Sequence, residues 1–138
     1  YLLQLLDECE DDLVIVIDTQ WRDSVNRDRA ADYVNCSQPH SRANYGDSIF
    51  LESAGENLGE DSIHGEWIGI IKISSAIFPT VRKEVDSLSK LENFDSMKMH
   101  HLLEHLCRLK QPMRVVYTTG NWLDVDTLED VIRANNFL

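Results

Sequence analysis

Leu13, Val14, Ile15, Val16 and Ile17 form an unbroken apolar run, mostly β-branched, that stops at Asp18. Continuous rather than alternating hydrophobicity predicts a strand buried on both faces, as at the centre of a parallel sheet. Ahead of it, Leu2, Leu3, Leu5 and Leu6 predict the end of a helix with one buried stripe, broken by the acids of 8–12. Glu66 to Ser74 predicts a second strong strand, in which Gly69 marks a bulge or a close approach. Ser74 or Ser75 is expected to cap a helix running through Phe78, Val81, Val85 and Leu88. Pro79 falls in its first turn, where a missing N–H is tolerated. Asp95 or Ser96 is expected to cap the next helix. That helix should carry Met99, Leu102, Leu103, Leu106 and Leu109 inward until Pro112 ends it. Met113 to Tyr117 predicts another strand and Leu128 to Phe137 a last helix.

The remaining stretches are weaker. Ser48 to Glu52 is a short strand candidate. Trp21 to Tyr45 reads as polar and irregular, and Glu56 to Ser62 as a Gly- and acid-rich hairpin loop or insertion. The order is helix, strand, long loop, strand, strand, helix, helix, strand, helix. It predicts an α/β layered sheet in a single domain spanning 1–138.

Composition narrows the partners. The chain has 138 residues, 43% hydrophobic and 27% charged, which suits one globular domain with a real core. A net charge of −11 argues against non-specific nucleic acid binding, because phosphate neutralisation needs Lys and Arg clusters. Arg22, Arg27 and Arg29 are interleaved with acids, and for them and for Asn26 and Arg42 a solvated surface role is expected over anion binding. No apolar run approaches the length of a membrane span. Asp7, Glu8 and Glu10 close behind Tyr1 do not fit a signal peptide. Cys9, Cys36 and Cys107 are widely spaced and odd in number, which predicts free thiols and a cytoplasmic location. The chain opens without Met on an apolar helix face, which predicts a fragment or a processed product.

The candidate chemistry sits where predicted strands end. Asp124 and Asp126 lie two residues apart between the strand at 113–117 and the last helix, so in extended chain they point the same way. Two carboxylates at a strand end suit a hard divalent cation such as Mg²⁺. The competing reading makes Asp126 or Thr127 the helix cap, with Glu129 and Asp130 favourably placed in its first turn. Asp18 ends the first strand and is either a functional group there or a turn residue. His101 and His105 share a helix face and could hold a metal, but no third ligand is placed, so a surface helix is expected. No phosphate-binding glycine loop and no GxSxG elbow is present. Cys36, near His40, reads as a plain thiol.

Three segments together resemble one family. They are Asp11 to Asp18 (DDLVIVID), His64 to Gly69 (HGEWIG) and Gly120 to Asp130 (GNWLDVDTLED). In this order and spacing they resemble the C-terminal two-thirds of a nucleotidyltransferase domain. The closest kind is the cytidylyltransferase type that activates phosphocholine, phosphonates or sugar phosphates, in some chains fused behind a phosphoenolpyruvate phosphomutase domain. The resemblance implies a Rossmann-like mixed, mostly parallel sheet. It also implies Mg²⁺-dependent transfer of a nucleotidyl group from a CTP-like nucleoside triphosphate to a small phosphorylated or phosphonate acceptor. Asp124 and Asp126 would be the catalytic metal carboxylates. Glu66, Asp18 and Trp122 would lie at the substrate, with the Trp122 face suited to a choline-like cation; Trp67 is expected in the core. The family's Gly-rich nucleotide loop and its other metal carboxylate have no counterpart in the sequence, so the expectation is a piece inactive by itself. The alternative expectation is a non-catalytic α/β module that associates with a partner domain or with itself, as a homo-oligomer.

Overall fold

The computed structural model describes residues 2–23, 31–44, 46–120, 122–125 and 127–135. In chain order the elements are α1 (Leu2–Glu8), β1 (Leu13–Asp18), β2 (Tyr33–Cys36), β3 (Leu51–Gly55), β4 (Gly65–Ile73), α2 (Phe78–Leu88), α3 (Met99–Arg108), β5 (Arg114–Thr118) and α4 (Leu128–Ala134). They make a mixed α/β fold around a five-stranded sheet of order β3-β2-β4-β1-β5. β1 pairs with β5 in parallel, whereas β1 with β4, β4 with β2 and β2 with β3 are antiparallel.

The sheet is therefore not mostly parallel, contrary to expectation. The apolar run of β1 is fully buried as predicted. Burial on both faces, however, leaves the direction of the neighbouring strands open. Leu13, Ile15 and Ile17 face a core filled by Val81 of α2 and by Leu103 and Leu106 of α3. Val14 and Val16 face the opposite layer, where Leu6 of α1 covers them with Ile68 and Ile70. Each face of β1 thus receives a helix, which is why no residue of this strand needs to be polar before Asp18.

Several boundaries differ from the pattern. β2 lies inside the stretch read as irregular; with only Tyr33, Val34, Asn35 and Cys36, its alternation is too short to stand out. β3 starts at Leu51 rather than Ser48. Leu3 is exposed, so the α1 stripe is narrower than its leucines suggest. α3 is capped at Lys98, whose backbone N–H donates to His101 Nδ1, and not at Asp95 or Ser96, which form a separate 3₁₀ turn. Met99 and Leu109 are consequently exposed at its ends. α2 has Pro79 in its first turn as predicted, but its N-cap is Ile77, without a side-chain cap, rather than Ser74 or Ser75; Ser74 Oγ accepts the Ile77 N–H in the turn that leads into the helix.

Gly69 forms the bulge. Ile15 faces Ile71 but Ile17 faces Trp67, so β4 carries extra residues opposite Val16. Gly69 takes φ +82°, which a side chain disfavours. Trp67 is buried in the core, and its Nε1–H donates to the Ile70 carbonyl across the bulge. No helix of the described residues is long and apolar enough to cross a membrane.

Candidate functional site

Strand register gathers the polar residues. One row crosses the whole sheet: Gly55 faces Tyr33, Tyr33 faces Glu66, Glu66 faces Asp18, and Asp18 faces Thr118. Residues flanking that row therefore converge at one edge. Asp32 precedes β2, Glu56 follows β3, Glu66 lies in the first pair of β4, and Trp122, Leu123 and Asp124 come after β5. Together with Lys98 at the start of α3 they line a cleft of about 580 Å³, with Trp67, Trp122 and Asp124 in its wall.

Asp18 sits one hydrogen bond behind this wall. It is 3% exposed. Its Oδ1 accepts from the Gln20 N–H (2.9 Å) and the Gly120 N–H (2.8 Å), and its Oδ2 accepts from Trp122 Nε1–H (2.8 Å). A carboxylate so engaged holds the loop after β5 against the end of β1. Gly120 takes φ +60°, a left-handed turn that glycine adopts without strain, and a Cβ there would stand 2.7 Å from the movable end of the Gln20 side chain. Gly65 is constrained more tightly: a Cβ would lie 2.4 Å from Ile17 Cγ2 and 2.6 Å from the Asp18 backbone carbonyl oxygen. The close approach that brings Glu66 beside Asp18 depends on it.

Of the residues the sequence singled out, Glu66, Trp122 and Asp124 share the cleft and Asp18 orients Trp122. Asp126 lies outside the described residues. Thr127 is the helix cap at α4: its N–H and Oγ1–H donate to Asp130 Oδ2, and the Asp130 N–H donates back to Thr127 Oγ1. His101 and His105 do not converge. His101 caps its own helix, and His105 Nε2 meets Glu84 of α2 at 2.9 Å.

Asp32, Glu56 and Lys98 carry no signal in the sequence, because β2 is too short to stand out and β3 begins later than its apolar pattern suggests. His100, which the sequence groups with His101, Glu104 and His105 on a helix expected at the surface, is buried instead. His100 carried a signal, since it stands three residues before Leu103 on the buried stripe of α3. It is 7% exposed, and its Nδ1 lies 2.6 Å from Asp32 Oδ1. Lys98 Nζ pairs with Glu56. The hydrogen bond from Lys98 lowers the Glu56 carboxyl below its usual range, and the same bond raises the Lys98 ammonium. Among the described residues lining the cleft, Lys98 is the only lysine or arginine, against the carboxylates of Asp32, Glu56, Glu66 and Asp124. Such a cleft favours cations, and the ligand-type atoms of Asp32, Glu56 and His100 converge in it.

No protein-family model matches the chain, and no curated protein matches it.

Proposed function

We propose that this chain carries the metal- and acceptor-binding part of a cytidylyltransferase-like domain with a Rossmann-like ancestry. Its reaction is transfer of a nucleotidyl group from a CTP-like donor to a small phosphorylated or phosphonate acceptor. The observation that carries the reading is the shared cleft of Glu66, Trp122 and Asp124, which come from two motifs far apart in the chain. In this reading Asp124 and Asp126 hold Mg²⁺, which when bound neutralises charge on the transferring phosphate. Glu66 and the Trp122 face receive the acceptor's cationic head, Trp122 through its ring and Glu66 through charge. Asp18 fixes the indole by its 2.8 Å hydrogen bond, so that the acceptor meets a preset surface. In the whole domain, Asp124→Asn is expected to lower turnover by at least about 100-fold, with the fold unchanged by circular dichroism. Turnover equal to that of the unaltered domain would contradict the assignment.

A second reading, association without catalysis, is favoured by one observation. Val125, Leu128, Val131 and Ile132 form an exposed apolar surface on and beside α4. Under this reading the chain sediments as a dimer or larger species, and Leu128→Asp with Ile132→Asp returns it to monomer. A monomer at all concentrations contradicts it.

A further inference from the structure

We propose that Asp32, Glu56 and His100 form a binding site for a divalent transition-metal ion of the Zn²⁺ class, with Lys98 occupying the cation position when the ion is absent. The site is separate from the Asp124 carboxylate and does not rest on the nucleotidyl reading.

The ligand-type atoms of the three side chains lie within 4.8 Å of one another. They come from three places in the chain: the residue before β2, the residue after β3 and the first turn of α3. The row of strand register fixes the first two, because Tyr33 and Gly55 are paired. Helix α3 is fastened to the same edge strand, with Glu104 Oε2 accepting the Ala54 N–H at 3.2 Å. That contact sets the height at which His100 enters. The imidazole is therefore delivered by a docked helix to two carboxylates whose spacing the sheet already sets.

The donor set decides the ion. Mg²⁺ and Ca²⁺ take oxygen ligands, whereas imidazole with carboxylate suits Zn²⁺ and its neighbours. The 2.6 Å separation of His100 Nδ1 and Asp32 Oδ1 is that of a hydrogen bond. Two atoms bound tetrahedrally to one Zn²⁺, at about 2.0–2.1 Å each, stand roughly 3.3 Å apart. The pair thus opens by less than about 1 Å to admit the ion, with the ring proton of His100 carried on Nε2 so that Nδ1 offers its lone pair to the metal. Glu56 supplies the third ligand once its partner Lys98 swings away; the Lys98 side chain is more than half exposed and free to do so. Water completes the coordination.

The test is titration of the chain with ZnCl₂ against a chromogenic chelator at neutral pH. One equivalent is expected to bind with a dissociation constant below about 10 µM. Glu56→Gln and His100→Ala are each expected to weaken it by more than about 10-fold. Lys98→Met should tighten it, because it removes the competing ammonium, and Asp124→Asn should leave it unchanged. His100 is buried and its alanine variant could unfold; Glu56 is at the surface, so its variant decides the matter in a folded chain. Absence of stoichiometric binding up to about 1 mM, or binding by Glu56→Gln as tight as by the unaltered chain, would overturn the site. Loss of Zn²⁺ binding in Asp124→Asn would overturn its separateness.

Discussion

At the scale of single residues, Asp18 shows how a strand-end carboxylate can serve a site without touching a ligand. Among the described residues its hydrogen-bond partners are donors, from Gln20, Gly120 and Trp122. In Asp18→Asn the new amide N–H₂ must face one of these donors whichever way it is turned. The cost is expected to be about 1–3 kcal/mol, read as a lower urea midpoint together with a shift in tryptophan emission. An unchanged midpoint would mean that the loop holds Trp122 without it. The thiols make a second residue-scale prediction. Burial, chiefly, pushes Cys36 from 9.0 up to about 11 and Cys107 up to about 12, and it raises the Tyr117 hydroxyl as well. These groups stay protonated in the folded chain at pH values where the unfolded chain ionises. The stability they contribute is complete below pH 9.0 and is lost as pH rises through about 11 to 12. Urea midpoints at pH 8 and pH 10.5 should therefore differ, the alkaline one being lower, and Cys36→Ala should reduce the difference.

At the scale of elements, the two glycines of β4 are needed for different reasons. Gly69→Ala meets no atom within 4 Å, so its cost is the φ +82° backbone alone, about 1–2 kcal/mol. Gly65→Ala meets Ile17 and the Asp18 backbone, which must move, and is expected to cost more, about 2–3 kcal/mol. Denaturant unfolding of both variants checks the order; a milder Gly65 substitution would mean that the β1–β4 approach is looser than drawn. The strong elements were legible because their cause is local. β1 is continuous and β-branched, β4 carries its bulge glycine in the open, and α2 announces its first turn with its proline. What was not legible depends on pairing. The direction of β4 and β2 relative to β1 leaves no trace in a strand buried on both faces. β2 has two buried positions, Val34 and Cys36, in a polar stretch. The cleft was half legible for the same reason. Glu66, Trp122 and Asp124 lie in or beside strong motifs, whereas Asp32 and Glu56 reach the site only because Tyr33 and Gly55 are partners.

At the scale of the whole molecule, the sheet acts as a collecting device. Strands of both directions place their starts or ends at one edge, so carboxylates from four separate stretches face one cleft in a chain of net charge −11. The two proposed cation sites differ in chemistry, carboxylate oxygens at Asp124 in one and the His100 imidazole with Asp32 and Glu56 in the other. In the proposed function, the Trp122 end of this cleft binds a cationic phosphorylated acceptor. The most direct measurement is calorimetric titration of phosphocholine into the chain with and without Mg²⁺, repeated on Trp122→Leu. Saturable binding is expected, strengthened by Mg²⁺ and weakened by about 10-fold or more in Trp122→Leu. Heats no larger than those of dilution, or binding indifferent to Trp122, would contradict it.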